Sequence, residues 1–187
     1  MMITKILVGE RVYLRLFTPD DADLVWTGVN EPTSAKLTGT QQTFTREQID
    51  AYIQRNLQPG DDRAAFIFAD VADDRAVGEV VINEIDALNR GANLRIAIFA
   101  AADWGGGYGT DALRLMVRYG FETLRLHRIE LGVYDFNPRA IRAYEKVGFQ
   151  REGLLRDALL WEGTYHSMIT MSILEHEWRA AQSGSVS

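Results

Sequence analysis

Cysteine is absent from this chain of 187 residues. Its absence excludes disulfide bonds, thiolate metal sites and a cysteine nucleophile, although it leaves the redox compartment open. Long apolar runs are missing as well, since no segment approaches the roughly 20 apolar residues that span a bilayer. Residues 1–6 do not lead into the apolar core that a signal peptide contains. We therefore expect a cytoplasmic protein with no membrane partner.

A positive net charge is also missing, because 20 Lys and Arg residues against 26 Asp and Glu residues give a net charge of −6. A general nucleic-acid binder needs a basic face that neutralises phosphates, so we expect no nucleic-acid partner. The three histidines, His127, His166 and His176, are scattered along the chain. This distribution favours ordinary structural roles, and we expect no metal site.

The length suits one domain, which we place at residues 1–182, followed by a disordered Ser- and Gly-containing tail at 183–187. Apolar alternation predicts strands over residues 11–17, 64–71, 77–85, 93–99, 128–133, 149–155 and 165–174. Helical periodicity and capping signals predict helices over residues 18–29, 45–56, 110–123, 138–146 and 175–181. The mixed order of these elements favours an α/β or α+β fold with a mixed sheet.

The most informative stretch is the loop between the strand over 93–99 and the helix over 110–123. Glycine occupies four of the five positions from Gly105 to Gly109. Such a loop lets successive backbone N–H groups converge on an anion, and a helix N-terminus adds a favourable dipole. Glycine suits this task because a side chain would block close approach. Taken alone, the loop fits a flexible strand-to-helix connection equally well.

Two other phosphate-binding motifs fit this loop poorly. A P-loop ends in Gly-Lys-Ser/Thr, whereas Gly109 is followed by Thr110 and Asp111. A Rossmann fingerprint places an acidic residue at a strand end about 20 residues later. Glu130 has about that separation, but it falls inside the next predicted strand. Both interpretations are disfavoured.

A second constellation is the predicted helix that begins after Asn137. Asn137 and Tyr144 are seven residues apart, so they share one face of the helix and lie about 10 Å apart along its axis. A slender ligand along that face would meet an amide at one end and a phenol at the other. The phenol, with a reference pKa near 10, is a proton donor at neutral pH. The alternative is that Asn137 is only an N-cap and Tyr144 only a core residue.

Together the two stretches resemble the GNAT acetyltransferase superfamily, and in particular its RimJ/RimL-like ribosomal-protein N-terminal acetyltransferases. The loop signature of the superfamily is Gln/Arg-x-x-Gly-x-Gly/Ala. Gly107 and Gly109 match its glycines, and Trp104 stands at the Gln/Arg position, as is common in this subgroup. The second family motif matches Asn137-Pro138-x-Ala140-Ile141-x-x-Tyr144-Glu145-Lys146-x-Gly148-Phe149. Weaker similarity extends over about residues 9–178.

The resemblance implies a single domain with a mostly antiparallel mixed sheet, splayed in the middle and flanked by helices. The gap opens between the strand ending near Phe99 and the strand ending near Val133, and acetyl-CoA lies in it as the co-substrate. Its pyrophosphate would sit on the glycine loop. The implied cofactor-binding residues are Ile96, Ala97, Ile98 and Phe99 on the strand, Gly105, Gly106, Gly107, Tyr108, Gly109 and Thr110 in the loop, and Asn137, Ala140 and Tyr144 on the next helix.

The resemblance also implies the reaction, which is transfer of an acetyl group to a primary amine of a small molecule or a protein N-terminus. The amine would attack directly, because no cysteine is present to carry an acyl group. A backbone N–H near Ile98 would stabilise the developing oxyanion, and Tyr144 would act as general acid. A homodimer is a further expectation. The alternative function is an acyl-CoA-binding sensor or partner module without turnover.

The general base is the open question. Glu79 and Glu84 both lie on the predicted strand over 77–85. Alternation places them on opposite faces, so at most one faces the acetyl group, and we favour Glu84 slightly. For either residue, a solvated surface acid is the competing interpretation. One departure from the family is Gly106, which stands where a basic residue is common and so removes one possible phosphate cation.

Overall fold

The structure is a computed structural model that describes residues 4–183. Within that range, the strands are β1 (Leu7–Val8), β2 (Val12–Arg15), β3 (Arg63–Asp70), β4 (Ala76–Asp86), β5 (Gly91–Ile98), β6 (Arg128–Tyr134), β7 (Gln150–Trp161) and β8 (Thr164–Leu174). The helices are α1 (Ala22–Val29), α2 (Pro32–Thr38), α3 (Arg46–Arg55), α4 (Tyr108–Glu122), α5 (Pro138–Val147) and α6 (Glu175–Ser183). No helix in the described range is long and apolar enough to cross a bilayer.

The strands form one sheet in the order β1-β2-β3-β4-β5-β6-β8-β7. All neighbours are antiparallel except β5 and β6, which run parallel. The parallel pairing covers only three residue pairs and ends at Asn93 opposite Glu130. Beyond that pair the strands diverge and leave a gap in the middle of the sheet. The predicted mixed and splayed sheet is confirmed.

Helices cover both faces of the sheet, so the strands carry apolar residues on both sides. On β3, Phe66 and Phe68 belong to the larger core cluster, together with Met116 of α4. Their neighbours Ala65 and Ile67 belong to a second cluster, which also contains residues of α1 and α3. Successive side chains of a strand point to opposite faces. The face that carries Ile67 is therefore the face covered by α1 and α3.

Local capping explains where the helices of the site begin and end. Thr45 and Gln48 form the predicted capping box at the start of α3. Asn137 caps α5, its side chain accepting a hydrogen bond from the backbone N–H of Ala140. Gly148 follows α5 with a φ of 110°, a left-handed conformation that favours glycine.

Helix α4 is tied to the sheet at its first turn. The buried carboxylate of Asp111 accepts hydrogen bonds from the backbone N–H groups of Arg11 (2.8 Å) and Val12 (3.0 Å). These bonds join the helix that follows the glycine loop to the beginning of β2. The glycine loop therefore connects β5 to a helix that is itself fixed to the sheet.

The structure differs from the sequence predictions in four places. Strand β1 was not predicted, because two residues are too few to show an alternating pattern. Helix α2 was not predicted, although Pro32 opens it and Gly39 ends it in a left-handed conformation. Strand β7 continues to Trp161, because it pairs with β8 as far as the hairpin turn. Ser183, which we assigned to the tail, is the last residue of α6. The remainder of the predicted tail lies outside the described residues.

Candidate active site

A cavity of about 770 Å³ occupies the gap between β5 and β6. Its lining comes from three parts of the chain: the diverging strands, the glycine loop with α4 and α5, and the early helices α1–α3. Among the predicted cofactor-binding residues, those that line it are Ile96, Ala97, Ile98, Gly105, Gly107, Gly109, Thr110, Asn137, Ala140 and Tyr144. Phe99, Gly106 and Tyr108 do not.

The backbone of β5 presents polar groups to the gap. The N–H of Phe99 bonds to the carbonyl oxygen of Val77 on β4, at 3.0 Å. Because neighbouring residues of a strand direct their N–H groups to opposite sides, the backbone groups of Ile98 and Ile96 face the diverging strand β6. On that side, no strand of the described part of the chain pairs with β5 beyond Asn93. These groups are free to hydrogen-bond an extended amide-containing ligand.

The glycine loop has the conformation that an anion cradle needs. Gly105 and Gly107 have φ values of 81° and 86°, and Gly107 is the N-cap of α4. A Cβ atom on Gly107 would lie 3.1 Å from Nε of Arg11, so space as well as φ constrains this position. The N-terminus of a 15-residue helix opens directly on the cavity beside these glycines. The loop therefore fits a diphosphate, whose charge the helix dipole favours.

The three implied residues outside the lining have other structural roles. The hydroxyl of Tyr108 donates to Asp70 at 2.7 Å, which turns its side chain away from the cavity. Phe99 is buried in the second core cluster, beneath Gly28 of α1. Gly106 lies between the two left-handed glycines, and its φ is not positive.

Helix α5 brings Asn137 and Tyr144 to the cavity together. The side-chain oxygen of Asn137 accepts from the N–H of Ala140 at 3.2 Å, so this residue both caps the helix and lines the cavity. Tyr144 is 8% exposed, and burial raises its pKa to about 12. Its hydroxyl has no hydrogen-bond partner among residues 4–183. The phenol is thus protonated and available to a ligand in the cavity.

Sequence reasoning missed a basic ridge on the same helix. Arg139, Arg142 and Lys146 all line the cavity. The guanidinium of Arg139 lies over the ring of Trp104, 4.0 Å from its centroid. This ridge supplies cations that Gly106 does not. The signal was present in the sequence, because positions i, i+3 and i+7 share one face of a helix.

Glu79, rather than Glu84, lies in this cavity. It lies opposite Ala97 in the β4–β5 pairing, and its carboxylate accepts a hydrogen bond from the hydroxyl of Tyr52 at 3.2 Å. Burial raises the pKa of Glu79 to about 7, while the bond from Tyr52 and the nearby charges of Arg95 and Arg63 act in the opposite direction. Burial also raises the pKa of Tyr52 well above its ordinary value.

Glu84 lines a separate cavity of about 190 Å³ near the start of β5. Its φ of 54° accompanies a register shift between Asn83 and Asp86, so regular strand alternation ends just before this residue. The structure does not bring Glu84 to Tyr144. Within residues 4–183, no group of three or more metal-ligating side chains is present.

The remaining wall of the cavity comes from the early helices. Its residues are mostly uncharged and include Val25, Val29, Ser34, Leu37, Thr38, Phe44, Gln48 and Ile49. We call this wall, together with the sheet face beneath it, the acceptor side. Glu79 lies on the acceptor side, because it pairs with Ile67 on the face covered by α1 and α3.

Residues 11–150, well over half of the chain, match the acetyltransferase (GNAT) domain family. The uncharacterized N-acetyltransferase p20 of Bacillus licheniformis is 28% identical over 92% of this chain and 97% of its own length. The probable N-acetyltransferase YjcK of Bacillus subtilis is 36% identical over 69% of this chain and 70% of its own length.

Among solved structures, a spermidine N-acetyltransferase of Vibrio cholerae in complex with CoA and spermine has a TM-score of 0.83. It is 24% identical and covers 90% of this chain, which covers 98% of it. That similarity shows the fold, whereas the family match shows that the chain is an acetyltransferase. The chain belongs to the GNAT acetyltransferase family, as an N-acetyltransferase that uses acetyl-CoA as co-substrate.

Proposed function

We propose that this enzyme acetylates a primary amine by direct attack, with Glu79 as general base and Tyr144 as general acid. One observation carries the proposal: a single cavity contains the glycine loop, the buried phenol of Tyr144 and the carboxylate of Glu79. An amine entering from the acceptor side would reach Glu79 on one side of the gap. Tyr144 lines the same cavity from α5.

Acetyl-CoA supplies an activated acetyl thioester, and the chain supplies the groups that hold it. The backbone N–H groups of the loop from Gly105 to Thr110 would bind the diphosphate, with Arg139 and Arg142 adding positive charge. The backbone groups of Ile96 and Ile98 would bind the pantetheine amides. The N–H of Ile98 would also stabilise negative charge on the carbonyl oxygen.

The protons balance in this arrangement. The nitrogen of the neutral amine bonds to the acetyl carbon and loses one proton to Glu79, while the carbon–sulfur bond breaks. Tyr144 provides a proton to the leaving sulfur. Glu79 then releases its proton to solvent and Tyr144 regains one from solvent, which restores both groups. A base with a pKa of about 7 is effective at neutral pH, because about half of it is ionised there. No covalent enzyme intermediate is required.

The proposal is tested by thiol release from acetyl-CoA with a panel of amines, in the Glu79→Gln and Glu84→Gln variants. We expect Glu79→Gln to lower kcat/KM by about 10²-fold, because general-base catalysis is lost. In the wild type, kcat/KM should rise with pH through about 7, as Glu79 ionises, and this inflection should disappear in Glu79→Gln.

Glu84→Gln is the matched control, since it removes the same charge from the same strand outside the cavity. It should leave the rate and the pH profile unchanged. The opposite pattern, with Glu84→Gln impaired and Glu79→Gln active, would return the base to Glu84. Absence of thiol release with every amine, with acetyl-CoA still bound, would instead support the sensor function.

The subgroup and the cellular setting are also part of the proposal. We propose a RimJ/RimL-like enzyme, on the strength of the loop around Gly107 and the motif from Asn137 to Phe149. Its acceptor would be a small-molecule amine or a protein N-terminus, its location the cytoplasm, and its oligomeric state a homodimer. Acetylation of N-terminal peptides tests the acceptor, and cell fractionation tests the location.

A further inference from the structure

The charges on the acceptor side are unusual for a site that would bind a polycation. Of its described lining residues, Glu79 is the one carboxylate, whereas Arg63 and Arg95 are both cationic. The other acidic lining residue, Asp103, is next to the glycine loop and is bound by the guanidinium of Arg75 at 2.9 Å. The acceptor side therefore carries more positive than negative charge.

Arg63 has an unsatisfied hydrogen-bond donor. Its Nε atom is buried and has no partner within the described chain. The guanidinium lies 5.7 Å from the centroid of the Tyr52 ring, and the hydroxyl of Tyr52 in turn donates to Glu79. Leaving a buried donor unpaired costs free energy, so an anionic partner at this position would stabilise the site.

Arg95 is the second available guanidinium. It lies opposite Val81 in the β4–β5 pairing, whereas Glu79 lies opposite Ala97. Arg95 and Glu79 are therefore diagonal neighbours on the same face of the sheet. Such diagonal neighbours have backbones about 7–8 Å apart, which an arginine side chain spans easily. Arg95 is exposed and forms no salt bridge with any residue in 4–183.

We propose that the acceptor is an amine that also carries a carboxylate, with its nitrogen at Glu79 and its carboxylate bound by Arg95 and Arg63. The inference rests on the proposed function, since it assigns the acceptor class of the same site. Planar guanidinium groups bind carboxylates through paired hydrogen bonds, which fixes the orientation of the ligand as well as its charge. A polyamine, which has several cations and no anion, would leave both arginines unpaired and repelled.

The test compares acceptors with and without an anionic group at pH 8.5, where Glu79 is ionised. Each kcat/KM is expressed per neutral amine, because a neighbouring carboxylate raises the pKa of the amine. L-Leucine is compared with L-leucinamide as a free amino acid, and Asp-Ala-amide with Asn-Ala-amide as a peptide terminus, with spermidine as the polyamine. We expect the carboxylate member of at least one pair to have a kcat/KM at least about tenfold higher. A preference within the leucine pair would identify the acceptor as a free amino acid, and a preference within the dipeptide pair would identify it as a peptide N-terminus.

Arg95→Gln should reduce that preference by about tenfold or more, through KM for the acceptor, and Arg63→Gln should act in the same direction. Arg55→Gln is the control, because it removes one positive charge from a surface pair with Asp62, outside the cavity. It should leave the preference unchanged. Calorimetric titration with CoA verifies that each variant is folded.

Equal activity on acid and amide, or a preference for spermidine, would overturn the inference while leaving the proposed acetyl transfer intact. If no amine is acetylated, the proposed function fails, and calorimetry of L-leucine and Asp-Ala-amide with the CoA-saturated protein decides the inference. Binding that is lost in Arg95→Gln would support it, whereas no binding, or binding unaffected by the substitution, would refute it.

Discussion

At the scale of single residues, the environment of Tyr144 matches its proposed role. Burial raises its pKa to about 12, so the phenol keeps its proton through the neutral range. Burial in the same cavity would raise the pKa of a leaving thiol above its ordinary value near 8.5, which brings the thiol pKa closer to that of Tyr144. Within residues 4–183 its hydroxyl forms no hydrogen bond that must be broken first.

We expect Tyr144→Phe to lower kcat by about 10²-fold or more, because the phenyl ring keeps the packing and loses the proton. The Kd for acetyl-CoA, measured by calorimetry, should change by less than about threefold. Tyr165→Phe, which alters a tyrosine exposed on β8, should behave as the wild type. Unchanged turnover in Tyr144→Phe would remove this residue from the mechanism.

Glu79 and Glu84 differ in their surroundings because of contacts between segments that are distant in the sequence. The sequence shows both glutamates as candidate bases on one strand, and strand alternation predicts that their side chains point to opposite faces of the sheet. The register shift between Asn83 and Asp86 and the contact of Tyr52 with Glu79 depend on pairing and packing between distant segments. No local pattern around either glutamate indicates them.

At the scale of elements, the glycine loop depends on backbone conformation more than on free space. A Cβ atom on Gly105 would meet nothing within 4 Å, yet its φ of 81° is one that other residues rarely adopt. Gly107 combines a φ of 86° with a close neighbour in Arg11. The carboxylate of Asp111 fixes the helix behind them, so the loop cannot relax freely.

We expect Gly107→Ala to raise the Kd for acetyl-CoA by about tenfold, since a left-handed alanine costs roughly 1–2 kcal/mol and a tenfold change is about 1.4 kcal/mol. Gly106→Ala is the loop control, because φ at that position is not positive. Its Kd should stay within about threefold of the wild type. Equal weakening by both substitutions would mean that loop bulk, and not φ, controls binding.

The helices were predicted well where their end signals are local. The capping box at Thr45 and the Asn137-Pro138 start of α5 identified their helices to within about a residue. Helix α2 has similar signals in Pro32 and Gly39, but it contains no buried residue and so lacks the apolar periodicity that marks a helix in sequence.

At the scale of the whole molecule, the outer edge of the sheet is the surface with the clearest capacity for self-association. Strand β7 ends the strand order, and among the strands of residues 4–183 it pairs with β8 alone. Leu154, Leu155 and Leu160 on this strand and Tyr165 on β8 are 46–61% exposed. An exposed edge strand can pair with another chain, and these apolar side chains would be covered by such a contact. We expect a second copy to cover this edge in the proposed homodimer.

Sedimentation at tens of micromolar protein should therefore give a dimer, and the double substitution Leu154→Glu with Leu160→Glu should give a folded monomer. Charges placed on an apolar interface lose their hydration when it forms, which disfavours association. Leu88→Glu is the control, because Leu88 is 91% exposed in the turn between β4 and β5. A monomeric wild type would exclude this interface.

The sequence alone determined the features that depend on neighbouring residues. These are the glycine loop and the cap and phenol of α5, whose two motifs led to the family, together with the succession of strands and helices. Tertiary structure decided what depends on distant segments meeting. It placed Glu79 instead of Glu84 in the cavity, set Tyr52, Arg63 and Arg95 around it, and exposed one edge of β7. The physical reason is that local dihedral preferences fix turns and caps, whereas strand register and helix packing fix which side chains share a cavity.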